Sequence, residues 1–255
     1  MIFGRKRKQD AEQEQQAVNE EATVDAAAEE QAAQDESPQL AALRKAEAQW
    51  LAWDNEFERE EWGPFDIEEV DLDADDVKRL DLGSLVLTPF PDMHMQISVN
   101  KQQVPQAIIV RDEESAIEVA LFGAPLRSSY IPEVRREMIA ASQGKSSRIT
   151  MRRGPFGTEM QRAYAVQLPD GKVGTQVTRT WLAEGPSWVL RGVVFGRAAQ
   201  DIENEEATVK LTEFFANLVV RRGTDPVAPG ASIPFHIPEA PEGQEPMTGD
   251  DAPQG

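Results

Sequence analysis

Large apolar residues are distributed very unevenly along this 255-residue chain, and this limits where a hydrophobic core can form. From residue 1 to residue 37 alanine, glutamine and glutamate dominate, and the branched aliphatic residues are Ile2, Val18 and Val24. From residue 238 to residue 255 proline, glycine and acidic residues dominate, with Met247 as the large apolar residue. Both segments bury too little apolar surface to offset the entropy lost on ordering. We therefore expect disordered tails at 1–37 and 238–255.

The chain between these tails has the size of one folded domain. Apolar residues recur there at helical and strand spacings, and about 170 residues is a usual domain length. The pattern predicts an amphipathic helix over 38–62 and a single globular α+β domain over 63–237.

Charge is also divided along the sequence. Residues 1–100 carry 9 basic and 25 acidic side chains, and residues 223–255 carry 6 acidic and no basic ones. Residues 101–222 carry 17 basic and 14 acidic side chains, a net charge of +3 within a chain of net charge −19. A slightly basic centre suits an acidic protein or another anionic ligand. The acidic flanks are unfavourable for nucleic acid.

Several classes of site and location are disfavoured by composition. The chain has no cysteine, so it can form neither a disulfide nor a thiolate metal site. The basic cluster Arg5–Lys8 is followed by polar residues and not by the apolar segment of a secretion signal. No apolar run reaches the length of a membrane span. These features predict a cytoplasmic protein outside the membrane.

The segment 38–62 has the features of a capped amphipathic helix. Ser37 can cap its first turn, and Pro38 is tolerated at the first helical position. Trp50, Trp53 and Phe57 form an aromatic seam at spacings of three and four residues. The seam either packs on the protein's own sheet or recognises a partner.

Eight strand-like runs and two helical runs follow, and they predict the fold class. The strand-like runs are Ser84–Thr88, Met93–Val99, Ala107–Arg111, Ala116–Phe122, Arg148–Arg153, Glu159–Leu168, Lys172–Leu182 and Trp188–Phe195. Helices are predicted near 132–142 and 202–218, and an extended arm over 227–237. This order predicts an α+β fold with an antiparallel sheet, or sheets, covered by two main helices. The order of four strands and a helix occurs twice, which suggests an internal duplication. No repeat is found at the level of individual residues.

Two short motifs resemble ligand-binding loops but lack required residues. Gly144-Lys145-Ser146 resembles the end of a phosphate-binding loop, yet Ile139 occupies the position of its first glycine. Asp71, Asp73 and Asp75 resemble the start of a calcium loop, yet Asp76 stands where glycine is needed.

The sequence contains no recognisable motif of a catalytic site. No dinucleotide-binding glycine pattern or hydrolase nucleophile elbow occurs, and His94 and His236 have no partner at a recognisable spacing. We therefore predict no cofactor and no metal, and assign no catalytic residue.

Arginines on neighbouring predicted strands form the one constellation that suggests binding. If the turn around Asp170-Gly171 pairs Leu168 with Val173, Arg162 lies opposite Arg179, and the next turn brings Arg191 close to Arg179. Like charges in a row destabilise a sheet unless acidic neighbours or an anionic partner neutralise them. The predicted anion-binding residues are Arg162, Arg179, Arg191, Arg148, Arg152 and Arg153. The alternative is neutralisation by Glu159, Glu184 or the acidic segment before Asp76.

Several short motifs together resemble a known family. They are Gly63-Pro64-Phe65-Asp66, Leu82-Gly83-Ser84-Leu85, Gly123-Ala124-Pro125, Gly154-Pro155-Phe156-Gly157, Trp188-Val189-Leu190-Arg191-Gly192 and Val219-Val220-Arg221-Arg222-Gly223. The segment from about Trp62 to Ile237 resembles the uncharacterised domain-of-unknown-function family three-seven-one-zero of high-GC Gram-positive bacteria. The resemblance supports the domain boundaries and implies no activity, cofactor or catalytic residue.

Three functional interpretations follow from the sequence. The preferred one is a non-enzymatic binding or regulatory module whose arginine-lined sheet face receives an acidic partner. The second is a small-molecule enzyme that uses Arg, Asp and Glu without a recognisable motif, for which Arg179 in a cleft beside a carboxylate would be the sign. The third is a weak nucleic-acid binder, which needs aromatic side chains on the same sheet face.

Overall fold

The computed structural model describes residues 37–90, 92–142, 147–168, 171–202 and 205–237. Contacts divide the chain into residues 1–49 and residues 50–255. In the first part the described residues are Ser37 and the beginning of helix α1 (Pro38–Asn55), whose Leu40 and Leu43 side chains are about half exposed. The predicted tails, apart from Ser37, and the Gly144-Lys145-Ser146 motif lie outside the described residues.

The helix predicted over 38–62 is present as two helices. The Ser37 hydroxyl accepts a hydrogen bond of 3.3 Å from the backbone N–H of Leu40, which confirms the predicted N-cap. Helix α1 ends at Asn55, and helix α2 (Arg59–Trp62) follows. Between them the Phe57 ring packs edge-on against Phe156 at 5.6 Å, so the chain leaves the helical path where this ring reaches the domain core.

An antiparallel sheet forms most of the domain. Its strands are β4 (His94–Val99), β5 (Pro105–Asp112), β6 (Ser115–Gly123), β7 (Ser147–Gly154), β8 (Gly157–Gln167), β9 (Val173–Gly185) and β10 (Trp188–Gly196), with the short β12 (Ser232–Ile233) beside β6. The order across the sheet is β4-β5-β6-β10-β9-β8-β7. Short turns connect β4 to β5, β5 to β6, β7 to β8, β8 to β9 and β9 to β10, so each of these pairs is a hairpin.

A smaller sheet lies in the same part of the chain. It contains β1 (Phe65–Asp66), β2 (Leu80–Asp81), β3 (Leu85–Leu87) and β11 (Val219–Val220) in the order β1-β11-β3-β2. Strands β1 and β11 are parallel, and a 3₁₀ turn at Ile67–Glu69 follows β1. Strand β3 corresponds to the predicted run Ser84–Thr88, which therefore pairs outside the large sheet.

One face of the large sheet carries the main hydrophobic core. Helix α4 (Arg197–Gln200) and helix α5 (Glu205–Ala216) belong to this side, where Phe215 is completely buried. Phe215 contacts the rings of Phe156 and Trp181 at 4.8 and 5.8 Å. Gly192 lies beneath this ring, and a Cβ there would come within 2.8 Å of Phe215. Such aromatic pairs each contribute about 0.5–1.5 kcal/mol beyond the burial of their area.

The other face carries a smaller core under helix α3 (Ile131–Ser142). Because successive side chains of a strand point to opposite faces, Trp181 lies in the main core and Leu182 in the smaller one. Leu182 and Val189 pack there with Ala124, Tyr130 and Ile131, and Val134 of α3 packs against this cluster.

The predicted α+β class with an antiparallel sheet is confirmed. All eight predicted strand runs overlap observed strands, and α3 and α5 lie at the positions of the two predicted helices. The predicted arm contains β12, which pairs with β6, and Phe235 behind it is buried. An internal duplication stays a prediction.

Candidate ligand-binding site

The arginines predicted to form a row are placed by the register of three hairpins. Arg162 lies opposite Thr178, and Arg179 lies opposite Gln161, so the predicted pairing of Arg162 with Arg179 is wrong. The Leu168 N–H donates to the Lys172 carbonyl, so Leu168 pairs with Lys172 and not with Val173 as predicted. The loop between β8 and β9 is therefore one residue shorter than predicted. A shift of one residue moves a side chain to the other face of a sheet. Arg162 and Arg179 therefore lie on opposite faces.

The same register divides all six candidate arginines between the two faces. Arg162 and Arg191 share the face of Leu182, because they pair with Thr178 and Leu182 of the same strand. Arg153 belongs to this face as well, through its pairing with Thr158. The main-core face carries the remaining three arginines, which are Arg148, Arg152 and Arg179.

Arg179 is held inside the domain by a carboxylate and a carbonyl. Its guanidinium donates to both Glu159 oxygens, with distances of 2.8–3.0 Å, and to the Ala198 carbonyl at 2.9 Å. Both side chains are more than nine-tenths buried. The Trp181 indole N–H donates to the same carboxylate at 2.9 Å. Arg179 is thus surrounded by protein partners and does not lie at an open cleft.

The three arginines of β7 lie toward the solvent. Arg148 is exposed. Arg152 stands 3.7 Å from the Glu159 carboxylate, and Arg153 forms an ion pair of 2.9 Å with Glu56 while about two-thirds exposed. These residues are therefore distributed along a strand and do not converge on one point.

Arg191 differs from these arginines because its guanidinium is partly buried and poorly paired. Its Nε atom is buried and has no hydrogen-bond partner. The nearest carboxylate oxygen, on Glu118, is 3.6 Å from Nη2, which is too long for a hydrogen bond. The guanidinium also lies 5.0 Å from the centre of the Phe122 ring. Burial lowers the pKa of Arg191 from its ordinary value, and Glu118 opposes this only in part, but arginine stays charged in proteins.

Arg162 shows the same deficiency elsewhere on this face. Its Nε is buried without a partner, and its guanidinium lies 4.9 Å from the Tyr164 ring. Among the residues described by the structure, Arg162 and Arg191 are the two side chains with such an atom.

Two cavities meet at Arg191 and Phe122, which line both. The larger has a volume of about 270 Å³ and a mixed lining, in which Ser98, Asn100, Gln106, Glu118 and Ser232 are polar and Val99, Ala107 and Ala120 are apolar. The smaller has a volume of about 130 Å³, and its lining is mostly apolar apart from Arg191 and Glu137: Phe122, Tyr130, Val134, Met138, Leu182, Val189 and Gly230. A charged group beside an apolar lining can orient an amphipathic ligand.

Tyr130 adds a polar atom to the smaller cavity. Desolvation, and then the charges of Glu137 and Glu133, raise the pKa of its phenol, so it stays neutral at physiological pH. A neutral phenol can both donate and accept a hydrogen bond. The Tyr130 phenol packs closely against Gly230: a Cβ added at Gly230 would stand 2.9 Å from the phenol oxygen.

The aromatic seam of the first helix is packed at its C-terminal end. Trp50 and Trp53 are partly buried, and the Trp50 carbonyl accepts a hydrogen bond of 2.8 Å from the Thr158 hydroxyl. Arg135 of α3 lies 5.8 Å from the Trp50 ring and donates to Asp54 at 2.6 Å. These contacts support packing on the protein's own domain for Trp50 and Phe57.

Sequence reasoning did not identify several residues of this region. Glu118, Glu137 and Tyr130 come from three separate elements, and no spacing in the sequence connects them to Arg191. Asp54 was also missed, although an acidic residue amid the seam's apolar positions could have signalled a specific partner.

Among the described residues, no helix has the length and apolar character needed to cross a membrane. The same part of the chain contains no group of three or more His, Cys, Asp or Glu side chains arranged to hold a metal ion.

The fold is thus an α+β domain built on an antiparallel sheet, and one face of that sheet carries the partly buried Arg191 between two cavities. The chain belongs to the family DUF3710, described as a protein of unknown function, whose model matches residues 63–244. This confirms the resemblance seen in the sequence. No curated protein matches the chain.

Solved structures resemble the chain only distantly. The cyanobacterial PsbP protein (CyanoP) of Synechocystis sp. PCC 6803 is 11% identical with a TM-score of 0.30, and the match covers 59% of this chain and 97% of that one. A protein of Bacteroides thetaiotaomicron VPI-5482 is 9% identical with a TM-score of 0.33, and the match covers 56% of this chain and 47% of that one.

Proposed function

We propose that this protein is a non-enzymatic binding module that receives a small anionic ligand at Arg191. The observation that carries the proposal is that Arg191 lines two cavities while its ion pair with Glu118 is 3.6 Å long, beyond hydrogen-bond distance. Because Nε is buried, the Nη groups are the donors of Arg191 that an anion in an adjoining cavity could reach. A cytoplasmic location belongs to the same proposal.

The form of the guanidinium favours a carboxylate or a similar planar anion. An arginine can donate two parallel hydrogen bonds to such a group, and charge-assisted bonds contribute about 1.5–3 kcal/mol. Glu118 leaves this capacity unused at its distance of 3.6 Å. The ring of Phe122 limits access of water on one side of the guanidinium.

The size of the cavities favours a small ligand over the acidic protein surface first considered. A protein surface would contact exposed arginines in a row, whereas Arg153, Arg162 and Arg191 are separated along this face, and Arg162 and Arg191 are only partly exposed. The apolar lining of the smaller cavity, with Val134, Met138 and Leu182, suits a short hydrocarbon chain attached to the anion.

The test compares two probes of nearly identical shape by calorimetric titration of the full chain. 4-Methylpentanoate carries a carboxylate, and 4-methylpentanamide carries a neutral amide in its place. We expect the carboxylate to bind at least about tenfold more tightly, because the amide cannot form the charge-assisted pair.

Two substitutions complete the experiment. Arg191→Gln should remove the preference for the carboxylate, whereas Arg148→Gln, at an exposed arginine of the other face, should retain it. Thermal melts of both variants verify that they are folded. Equal affinity for the two probes, absence of carboxylate binding, or unchanged binding to folded R191Q would overturn the proposal.

A further inference from the structure

The charges around Arg191 indicate more than a preference for an anion. Glu118 lines the larger cavity beside Arg191, and Glu137 of α3 lines the smaller one. The site therefore contains one guanidinium and two carboxylates. A ligand with two negative charges would meet repulsion from both glutamates, whereas a positive charge on the ligand would be attracted by Glu137.

We propose that the natural ligand is a small zwitterion with an apolar body, of the class of aliphatic α-amino acids. This rests on the proposed function and specifies its ligand. The ligand carboxylate pairs with Arg191, and its ammonium group pairs with Glu137. Its hydrocarbon side chain packs against Leu182 and Met138 in the smaller cavity.

Each part of such a ligand has a matching chemical group in this cavity. The guanidinium supplies donors, the Glu137 carboxylate supplies acceptors, and the lining between them is aliphatic and aromatic. The neutral Tyr130 phenol can donate to the ligand carboxylate or accept from its ammonium group. A site with charged groups of both signs beside an apolar wall favours a zwitterion over a fatty acid. A fatty acid has no ammonium group and would make no use of the Glu137 carboxylate.

The size of the smaller cavity sets a limit on the ligand. Its volume of about 130 Å³ lies below the roughly 300–1,000 Å³ of pockets that enclose drug-sized ligands. A short aliphatic amino acid is of this order of size, and a nucleotide or a long acyl chain is much larger. The adjacent larger cavity lies on the Glu118 side of Arg191.

The experiment uses three probes that share one branched hydrocarbon chain. L-Leucine carries both charges, 4-methylpentanoate lacks the ammonium group, and 3-methylbutylamine lacks the carboxylate. Titrations of the full chain should give the tightest binding for leucine, with 4-methylpentanoate weaker by about fivefold or more and 3-methylbutylamine weaker still. Leucine is expected to gain from the additional ion pair with Glu137.

Two glutamate variants assign the ammonium group to its partner. Glu137→Gln should weaken leucine binding to the level of 4-methylpentanoate and leave 4-methylpentanoate at least as tight as before. Because Glu137 is exposed on α3, this variant should fold normally. Glu118→Gln is the matched control: it frees Arg191 from its neighbour and should strengthen both carboxylate probes by a similar factor.

The possible results separate this inference from the proposed function. If 4-methylpentanoate binds as well as or better than leucine, or if E137Q leaves their ratio unchanged, the zwitterion inference is wrong while the proposal of an anion site stands. If neither leucine nor 4-methylpentanoate binds, both are wrong. Leucine binding that depends on Arg191 and Glu137 together supports both.

Discussion

The carboxylate of Asp54 accepts a hydrogen bond of 2.8 Å from the backbone N–H of Thr158, a residue 104 positions further along the chain. Its other oxygen accepts from Arg135 at 2.6 Å. The Asp54 carboxylate therefore connects the end of α1, the turn between β7 and β8, and helix α3. Gly157 allows this approach, since a Cβ there would stand 2.9 Å from the carboxylate oxygen.

Replacing Asp54 with alanine should strongly destabilise the fold. Arg135 is nearly fully buried, and removal of its partner leaves a buried charge unpaired, which costs about 3–5 kcal/mol. Urea denaturation should show a lower midpoint with an unchanged slope. Asp75→Ala, which removes an exposed pair with Arg79 and an exposed hydrogen bond from the Val77 N–H, is the control and should lower the midpoint much less. Equal midpoints for D54A and the unmodified chain would contradict the prediction.

Arg179 and Glu159 should behave as one buried unit. Arg179→Met leaves the Glu159 carboxylate without its main partner and should lower the free energy of unfolding by about 3–5 kcal/mol. The double variant with Glu159→Gln should be less destabilised than the sum of the two single variants, because neither charge is then left alone. A double-mutant cycle from denaturant titrations measures this coupling, and additive effects would show that the pair is not coupled.

The fold was largely predictable from sequence because its determinants are local. Alternating apolar residues and turns such as Glu184-Gly185-Pro186 specify each strand and its hairpin partner. The arginine row was not predictable, because the identity of the face depends on a single residue of register at the turn after Leu168. The contacts of Asp54, Glu118 and Glu137 with other elements were also beyond prediction, since they depend on tertiary packing.

Glu69 should make stability depend on pH in the acidic range. A bidentate hydrogen bond from Arg59, at 2.6 and 2.7 Å, lowers the pKa of the Glu69 carboxyl group below its ordinary value. A carboxylate whose pKa is lower in the folded state stabilises the fold above its unfolded pKa of about 4.3, and this contribution is lost as pH falls further. Melting temperatures between pH 7 and pH 3 should therefore fall less for Glu69→Gln, which lacks this titration, than for the unmodified chain. Parallel curves would contradict the assignment.

Arg191 should oppose stability in the absence of ligand, in contrast to Arg179. Arg191→Met keeps most of the hydrophobic volume and removes a buried donor without a partner, whose cost is about 1–3 kcal/mol. The variant also loses the contact with Phe122, which contributes about 0.5–1 kcal/mol at partly exposed sites. The expected net result is an increase of about 1 kcal/mol in the free energy of unfolding, together with loss of binding to 4-methylpentanoate. Sites that bind ligands often retain such unfavourable groups, and their replacement then exchanges function for stability. Denaturant titrations of R191M and R179M measure both arginines under the same conditions, and opposite signs are expected. If R191M is destabilised as strongly as R179M, Arg191 has a structural role within the sheet and its unpaired Nε is no sign of a ligand.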